Sequence, residues 1–487
     1  VRGLGGTGMS PPTTQRVVVV GGGMAAVRLA EQLAGADVEL TVLADEQHAP
    51  YNRILLSAVL EGTHAADALT LRSPEWFEER GIDLRLGTRV LEIDRSAREV
   101  VLVDGERVAF DRLVLACGSI PTLPPIRGLV RRDGTLHPKV HPFRSLDDCR
   151  RLDAALQSLV EEGRSPVTRP RAVVVGGGLL GLQVARALSV RGMLTEVVEG
   201  ADHLLASQVD PAAGAILARD LRRLGTDVYT GARAVRLTDD GLQLDNGALL
   251  PTDLVVLTAG GRPSTALARR AGLMVGRGVV VDGTLTSVTD DRVHAIGDCA
   301  EHRRRTTGFV APAWEQAEVL ARVIRGEQAS YDGRRSVARL RATGLDVAIL
   351  GDARCPAGRA DGEVVEVSNP ISGSHRRLVV HGGRIVGAAL VGDLSRVGLI
   401  TQLYDRGTLL GPDEPGQLLL PEAAVAPVPL PDEAEVCACA GVTAGEVRSC
   451  GSLTECADRT RATTGCGGCA DVVRRLVGER APEPALS

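Results

Sequence analysis

The chain has 487 residues, 44% of them hydrophobic and 24% charged, with a formal net charge of −5. That length exceeds what one core can hold and points to about three domains. The negative balance offers no broad basic field, which excludes nucleic acid as a partner. No apolar run approaches the roughly 18 residues of a bilayer-spanning helix, and Val1 to Gln15 is polar and Gly/Pro-rich, so the chain reads as cytoplasmic, with no membrane partner.

In chain order, Arg16 to Val20 is a short apolar strand, Met24 to Leu33 a helix and Val38 to Leu43 a second strand, which makes a βαβ unit. Between strand and helix stands Gly21-x-Gly23-x-x-Ala26. The chain must turn tightly at Gly21, its backbone must approach a pyrophosphate at Gly23, and Ala26 lets helix and strand pack closely. Asp45-Glu46 follows the second strand, as an acceptor for a ribose hydroxyl should. Ala44 holds the usual acidic spot, so both acids stay candidates. Leu113 to Ala116 is a further strand, followed by Gly118.

The same layout then recurs. Arg171 to Val175 is a strand, Gly176-x-Gly178-x-x-Gly181 opens a helix to Val190, and Leu194 to Val198 ends at Glu199. Two copies of one unit imply two nucleotide-binding domains. Glu199 can accept from the 2′-hydroxyl of NAD and would repel a 2′-phosphate; no arginine follows it closely, which favours NADH. Leu254 to Leu257 and Arg292 to Ile296 are later strands, the second ending in Gly297-Asp298, where a carboxylate could take a ribityl hydroxyl of a flavin. Residues 336–410 alternate apolar and polar with glycine turns, as a small antiparallel α+β domain would.

Pro421 to Glu435 reads as a semi-rigid linker. Beyond it lie six of the ten cysteines, and with no export signal such clustering argues for metal rather than disulfides. Cys437-x-Cys439 and Cys466-x-x-Cys469 could hold a 2Fe–2S cluster, two thiolates per iron, or a structural zinc; spacing leaves both open. Cys450 and Cys456 have the C-x₅-C spacing that begins a sirohaem signature, but no C-x₃-C follows, so they are read as coincidental. His48 to Ser57 contains no cysteine, so a flavin in this chain has no adjacent redox thiol to reduce.

Together these motifs resemble the pyridine-nucleotide–disulfide-oxidoreductase superfamily, in its nitrite reductase large-subunit branch. The resemblance runs from about Arg16 to Val477. It rests on Pro50-Tyr51-Asn52-Arg53-x-x-Leu56-Ser57, Leu113-Val114-Leu115-Ala116-Cys117-Gly118-Ser119, Ala295-Ile296-Gly297-Asp298-Cys299-Ala300, Ala259-Gly260-Gly261-Arg262-Pro263 and Ala311-Pro312-Ala313-Trp314-Glu315-Gln316. The last segment resembles the ferredoxin-like module associated with bacterioferritin, which implies 2Fe–2S rather than zinc.

The fold class implied is α/β: two nested Rossmann-like domains, a small α+β domain and a 2Fe–2S module. The FAD domain would run over 15–140 and 275–330, the NAD domain over 141–274, the small domain over 331–420, the linker over 421–435 and the cluster domain over 436–481. FAD would be held by Gly21, Gly23, Ala26, Asp45, Glu46, Arg53, Val90, Gly118, Asp298 and Trp314. NADH would be held by Gly176, Gly178, Gly181, Glu199 and Gly260, and the cluster by Cys437, Cys439, Cys466 and Cys469. Hydride transfer requires no protein acid or base, so no catalytic residue is expected. Because no sirohaem domains follow, the resemblance implies an electron-transfer subunit whose partner is a nitrate or nitrite reductase catalytic subunit; a homodimer is compatible with it. The alternatives are an NADH-dependent ferredoxin or rubredoxin reductase of another pathway, and a non-enzymatic redox-responsive binding protein.

Overall fold

A computed structural model describes residues 14–162, 169–333, 337–342, 344–354, 362–420, 430–465 and 467–478. The chain divides into two compact units. One comprises the chain up to Tyr51, Thr70–Ser119 and Pro263–Arg334; the other comprises Asn52–Leu69, Ile120–Arg262 and the chain from Arg335 on.

The first unit is organised by short runs of valine and leucine buried on both faces, as central parallel strands must be. Gln15–Val20 lies between Val38–Leu43 and Arg112–Leu115, parallel to both, and Arg112–Leu115 pairs in turn with Asp290–Ala295. The registers put Val20 beside Leu43 and Leu115, and Leu115 beside Ala295, so these strands finish on one edge of a nine-stranded sheet. Helix Met24–Leu33 covers the sheet and packs on helix Val310–Ile324. A separate antiparallel ribbon, Val90–Asp94, Glu99–Leu102 and Arg107–Ala109, is tied down by Arg95, whose Nε donates to Asp290 at 2.9 Å.

The second unit repeats the plan. Its five-stranded parallel sheet runs Thr226–Thr230, Leu194–Glu199, Arg171–Val175, Leu254–Leu257, Val140–Pro142. Residues 120–140, placed with the FAD domain from sequence, fall in this unit, where the Arg127 N–H donates to Val235 O at 3.0 Å. Asn52–Leu69 joins it as well: helix Leu56–Glu61 packs on helix Leu179–Val190, and Arg191 Nη1 donates to Leu60 O at 2.8 Å.

The same unit carries a five-stranded antiparallel sheet, Val337–Ala342, Leu345–Gly351, Arg384–Val391, Ser374–His381, Glu363–Asn369, with helix Val397–Arg406 packed on it. Gly407, left-handed at φ +57°, ends that helix. Asp210 caps helix Pro211–Arg223 by accepting from Ala212 N and Ala213 N, and its other oxygen meets Nε2 of the fully buried His375 at 3.0 Å. One carboxylate thus secures a helix end, worth about 1 kcal/mol, and joins that helix to the antiparallel sheet.

The C-terminal module is a hairpin, Glu435–Cys437 with Val442–Thr443, and three helices, Ala444–Arg448, Leu453–Thr460 and Ala470–Gly478. Thr443 and Glu446 form a reciprocal capping box on the first helix. Of the ten buried residues in its core, four are Cys437, Cys450, Cys456 and Cys469, and the largest aliphatics are Val442, Val447, Val473 and Leu476. An apolar core this thin is one that small modules supplement with a metal.

Candidate functional site

The two glycine loops have the same physical construction. Gly21 has φ +117° and a Cβ there would stand 2.3 Å from Ala116 O; Gly176 has φ +119° and its Cβ would stand 2.6 Å from Thr258 O. No side chain can occupy either turn. Gly23 and Gly178 differ from them, because a Cβ on either meets nothing within 4 Å. Each is the N-cap of its helix, at φ −81° and −79°, with no side-chain cap. Uncapped amides facing open space at a helix N-terminus, on the carboxyl edge of a parallel sheet, are suited to a pyrophosphate.

The acids beside the loops differ. Asp45 is exposed, whereas the Glu46 carboxylate accepts from the Tyr51 hydroxyl at 2.6 Å. In the second unit Glu199 Oε2 accepts from Gly177 N at 2.6 Å and Oε1 from Ala201 N at 2.8 Å, which holds the carboxylate against its own loop. A Cβ on the next residue, Gly200, would meet Arg233 Cγ at 3.1 Å and Nε at 3.3 Å. This arginine comes from the far side of strand Thr226–Thr230, and reading along the chain from Glu199 could not find it.

Around Asp298 the first unit builds a hydrogen-bonded floor. Ser119 Oγ donates to Asp298 Oδ2 at 2.8 Å, and Gly297 N donates to Gln316 Oε1 at 2.7 Å. Gly118 and Gly297 take φ of +64° and +74°. Trp314 is buried, with the Arg28 guanidinium 5.6 Å above its ring. Val90 is buried at the start of its strand. Ala26 is buried under the first loop, and Gly260, at φ +87°, has open space where a Cβ would go. Arg53 opens the turn Arg53–Leu55 in the second unit, whereas the other residues expected at FAD lie in the first.

Two thiols also finish at this strand edge. Cys117 Sγ donates to Val20 O at 3.5 Å, and Cys299 Sγ to Leu115 O at 3.2 Å. Burial raises both, Cys299 to about 11 and Cys117 further. Burial of this kind disfavours the thiolate, the form in which a cysteine is a nucleophile.

In the C-terminal module Cys437 and Cys469 are buried side by side: a hydrogen bond with Cys469, then burial, pushes the Cys437 thiol up. Thr463, at φ +72°, points its N–H at Cys469 Sγ at 3.1 Å. Cys439 is half-buried on the hairpin and packs against the same core. Cys466 lies outside the described residues, and among the described residues no group of three or more His, Cys, Asp or Glu is placed to hold a metal. The donor set is all sulfur, one sulfur already receives a backbone N–H, and Gly467 takes φ +68°; these features fit a thiolate-bound cluster. Cys450 and Cys456, read as coincidental, are fully part of this core, and burial raises the Cys456 thiol, with Cys450 as its neighbour.

A cavity of about 610 Å³ lies elsewhere, lined by Leu217, Asp220, Arg376 and Asp393 among others, and shares no residue with these sites. Among the described residues no helix is long and apolar enough to cross a membrane.

Comparison with known proteins adds the following. A family model described as pyridine nucleotide-disulphide oxidoreductase matches residues 15–317. The chain is 34% identical over 485 residues to the nitrite reductase [NAD(P)H] large subunit of Klebsiella oxytoca, covering 95% of this chain and 48% of that protein. It is 30% identical over 480 residues to the assimilatory nitrate reductase electron transfer subunit of Bacillus subtilis, covering 95% and 59%. The chain therefore spans about half the length of the curated relatives it matches. Among solved structures, the covalent putidaredoxin reductase–putidaredoxin complex matches with a TM-score of 0.73 and 25% identity, over 83% of this chain and 95% of that one.

Proposed function

The chain belongs to the pyridine nucleotide-disulphide oxidoreductase family of FAD-dependent enzymes, and from that premise we propose that it carries electrons from NADH, by way of FAD and a 2Fe–2S centre, to an assimilatory nitrate or nitrite reductase catalytic subunit. The observation that carries this reading is the presence, in one chain, of two dinucleotide loops and a thiol-lined C-terminal module. A relative named as an electron transfer subunit matches it across 95% of its length. When bound, FAD takes the hydride of NADH as an electron pair, and a 2Fe–2S cluster passes electrons singly.

The chain's own residues would bind and orient the two nucleotides and the cluster. Gly21, Gly23 and Ala26 would admit the FAD pyrophosphate to the first helix N-terminus. Asp45 is the better ribose acceptor, because it is exposed while Glu46 is engaged by Tyr51. Asp298, aimed by Ser119, would accept from the ribityl chain, with Val90, Gly118 and Trp314 completing the set within the first unit. Gly176, Gly178, Gly181 and Gly260 would admit NADH, and Glu199 would accept from its ribose. Cys437, Cys439, Cys466 and Cys469 would hold the cluster, with the Thr463 amide donating to one sulfur.

A second reading, delivery to a free ferredoxin-type protein, draws on the likeness to putidaredoxin reductase and to a ferredoxin reductase from Rhodopseudomonas palustris. A panel of acceptors tests both. NADH oxidation accelerated by a nitrate or nitrite reductase catalytic subunit is the expected result. Acceleration by ferredoxin alone would replace the first reading with the second, and absence of NADH oxidation with any acceptor would remove both.

A further inference from the structure

We propose that Asn52 is a positioning residue that anchors the backbone around the Cys466–Cys469 segment to the turn that carries Arg53. The proposal rests on the reading of the C-terminal cysteines as cluster ligands. Asn52 is 1% exposed. Its backbone N–H donates to Leu69 O at 2.8 Å, and its Oδ1 accepts from Ile54 N at 3.0 Å, capping the turn Arg53–Leu55. Its Nδ2 faces the other way and donates to the carbonyls of Thr464 and Gly465, the second at 3.1 Å. A carboxamide offers two N–H donors and one oxygen acceptor, and here every one is used. The amide orientation is set by this network, since only nitrogen can face two carbonyl oxygens.

The segment is held from its other side as well. Arg339 Nη1, on strand Val337–Ala342, donates to Gly468 O at 3.1 Å. Carbonyls before and after Cys466 are therefore fixed by side chains from two different parts of the unit, more than 120 residues away in sequence. Within the segment the Thr463 amide is aimed at Cys469 Sγ. A buried donor, Asn52 Nδ2, and a half-buried one, Arg339 Nη1, spent on these carbonyls tie the described residues on either side of Cys466 to the Arg53 turn and to strand Val337–Ala342. A functional constellation is held to within about 0.5 Å of its productive geometry by supporting hydrogen bonds of this kind.

Asn52→Asp tests this in the holoprotein. Aspartate keeps the volume and the oxygen that caps Ile54, but turns a carboxylate oxygen toward two carbonyls. Two readouts are taken. Hydrogen exchange of the amides of 463–469 is expected to accelerate, with little change in the core of the antiparallel sheet. After anaerobic mixing with NADH, the rate of cluster reduction divided by the rate of flavin bleaching is expected to fall at least about tenfold, less than the roughly hundredfold that an ångström of misplacement can cost a reaction. Arg339→Leu, which removes the bond to Gly468 O and leaves Asn52 in place, is expected to move both readouts in the same direction by less. Wild-type exchange and a wild-type ratio in Asn52→Asp would overturn the proposal; if that variant does not fold, wild-type values in Arg339→Leu would do so. A wild-type protein that bleaches with NADH but contains zinc and no paramagnetic cluster would instead overturn the underlying reading. In that case the exchange measurement still decides whether Asn52 anchors the segment.

Discussion

The two glycine loops invite comparison because they share a backbone but not a third residue. In the second, a Cβ on Gly181 would stand 1.9 Å from Gly176 O and 2.8 Å from Thr258 Oγ1. In the first, Ala26 carries that Cβ and is simply buried, 1% exposed. Helix and loop must therefore stand closer in the second unit, where Thr258 Oγ1 also donates to the Val175 and Gly176 carbonyls, each at 3.1 Å. The same motif thus combines two kinds of constraint. The first and third positions answer to the protein's own packing, and the middle one to the space kept for a ligand.

That division can be broken by mutation. The largest effect is expected from Gly181→Val, which has no room. Overpacking of this kind costs about 1–3 kcal/mol or more, so thermal unfolding should occur at lower temperature and NADH should no longer bleach the flavin. Ala26→Gly should cost about 0.5–1 kcal/mol in chemical denaturation, from backbone entropy in a helix. Gly178→Val and Gly23→Val sharpen the point, because both side chains would enter open space. The unliganded stability should stay within about 0.5 kcal/mol of wild type, while the first loses NADH affinity and the second loses bound FAD, read by titration and by flavin content after gel filtration.

A smaller effect concerns the acids. Glu199→Ala removes one ribose acceptor and the partner of Gly177 N. NADH affinity should fall by about fivefold to tenfold, the worth of one hydrogen bond of about 1–1.5 kcal/mol. The NADH to NADPH preference should narrow in the same assay, because the carboxylate that would repel a 2′-phosphate is gone.

The smallest effect is a pH dependence within the first unit. Burial would raise Asp290, but hydrogen bonds from Arg292 and Arg95 outweigh it and pull the carboxyl down to about 2. A folded value below the unfolded one means that this stability is complete above about pH 4 and is lost as pH falls toward 2. Asp290→Asn should flatten the fall in unfolding temperature over that window, without altering NADH titration at neutral pH.

What was legible in the sequence is what repeats locally. Valine runs closed by glycine gave away the parallel strands at the centre of both sheets, because a strand buried on two faces has few other compositions. The glycine spacing located both helix N-termini, and the cysteine pairs located the last module. Contacts made by single residues across long sequence separations left no such trace. Asn52 reaches Gly465 and Arg233 reaches Gly200. Cys450 and Cys456 were judged by spacing against a signature, although their role in the structure is to fill a core with few large side chains. Residues 120–139 carry no strand of the second unit's parallel sheet; they join that unit through single contacts such as Arg127 N to Val235 O, which leave no pattern in the sequence.

The central claim is an internal path from nicotinamide to iron–sulfur, and it is tested most directly by an anaerobic NADH titration of the purified protein followed by visible absorbance and electron paramagnetic resonance. Flavin bleaching together with a 2Fe–2S signal, the signal being lost in Cys466→Ser, is the result expected. Flavin bleaching without any cluster signal, in a protein that carries zinc, would contradict it and leave a simple flavin reductase.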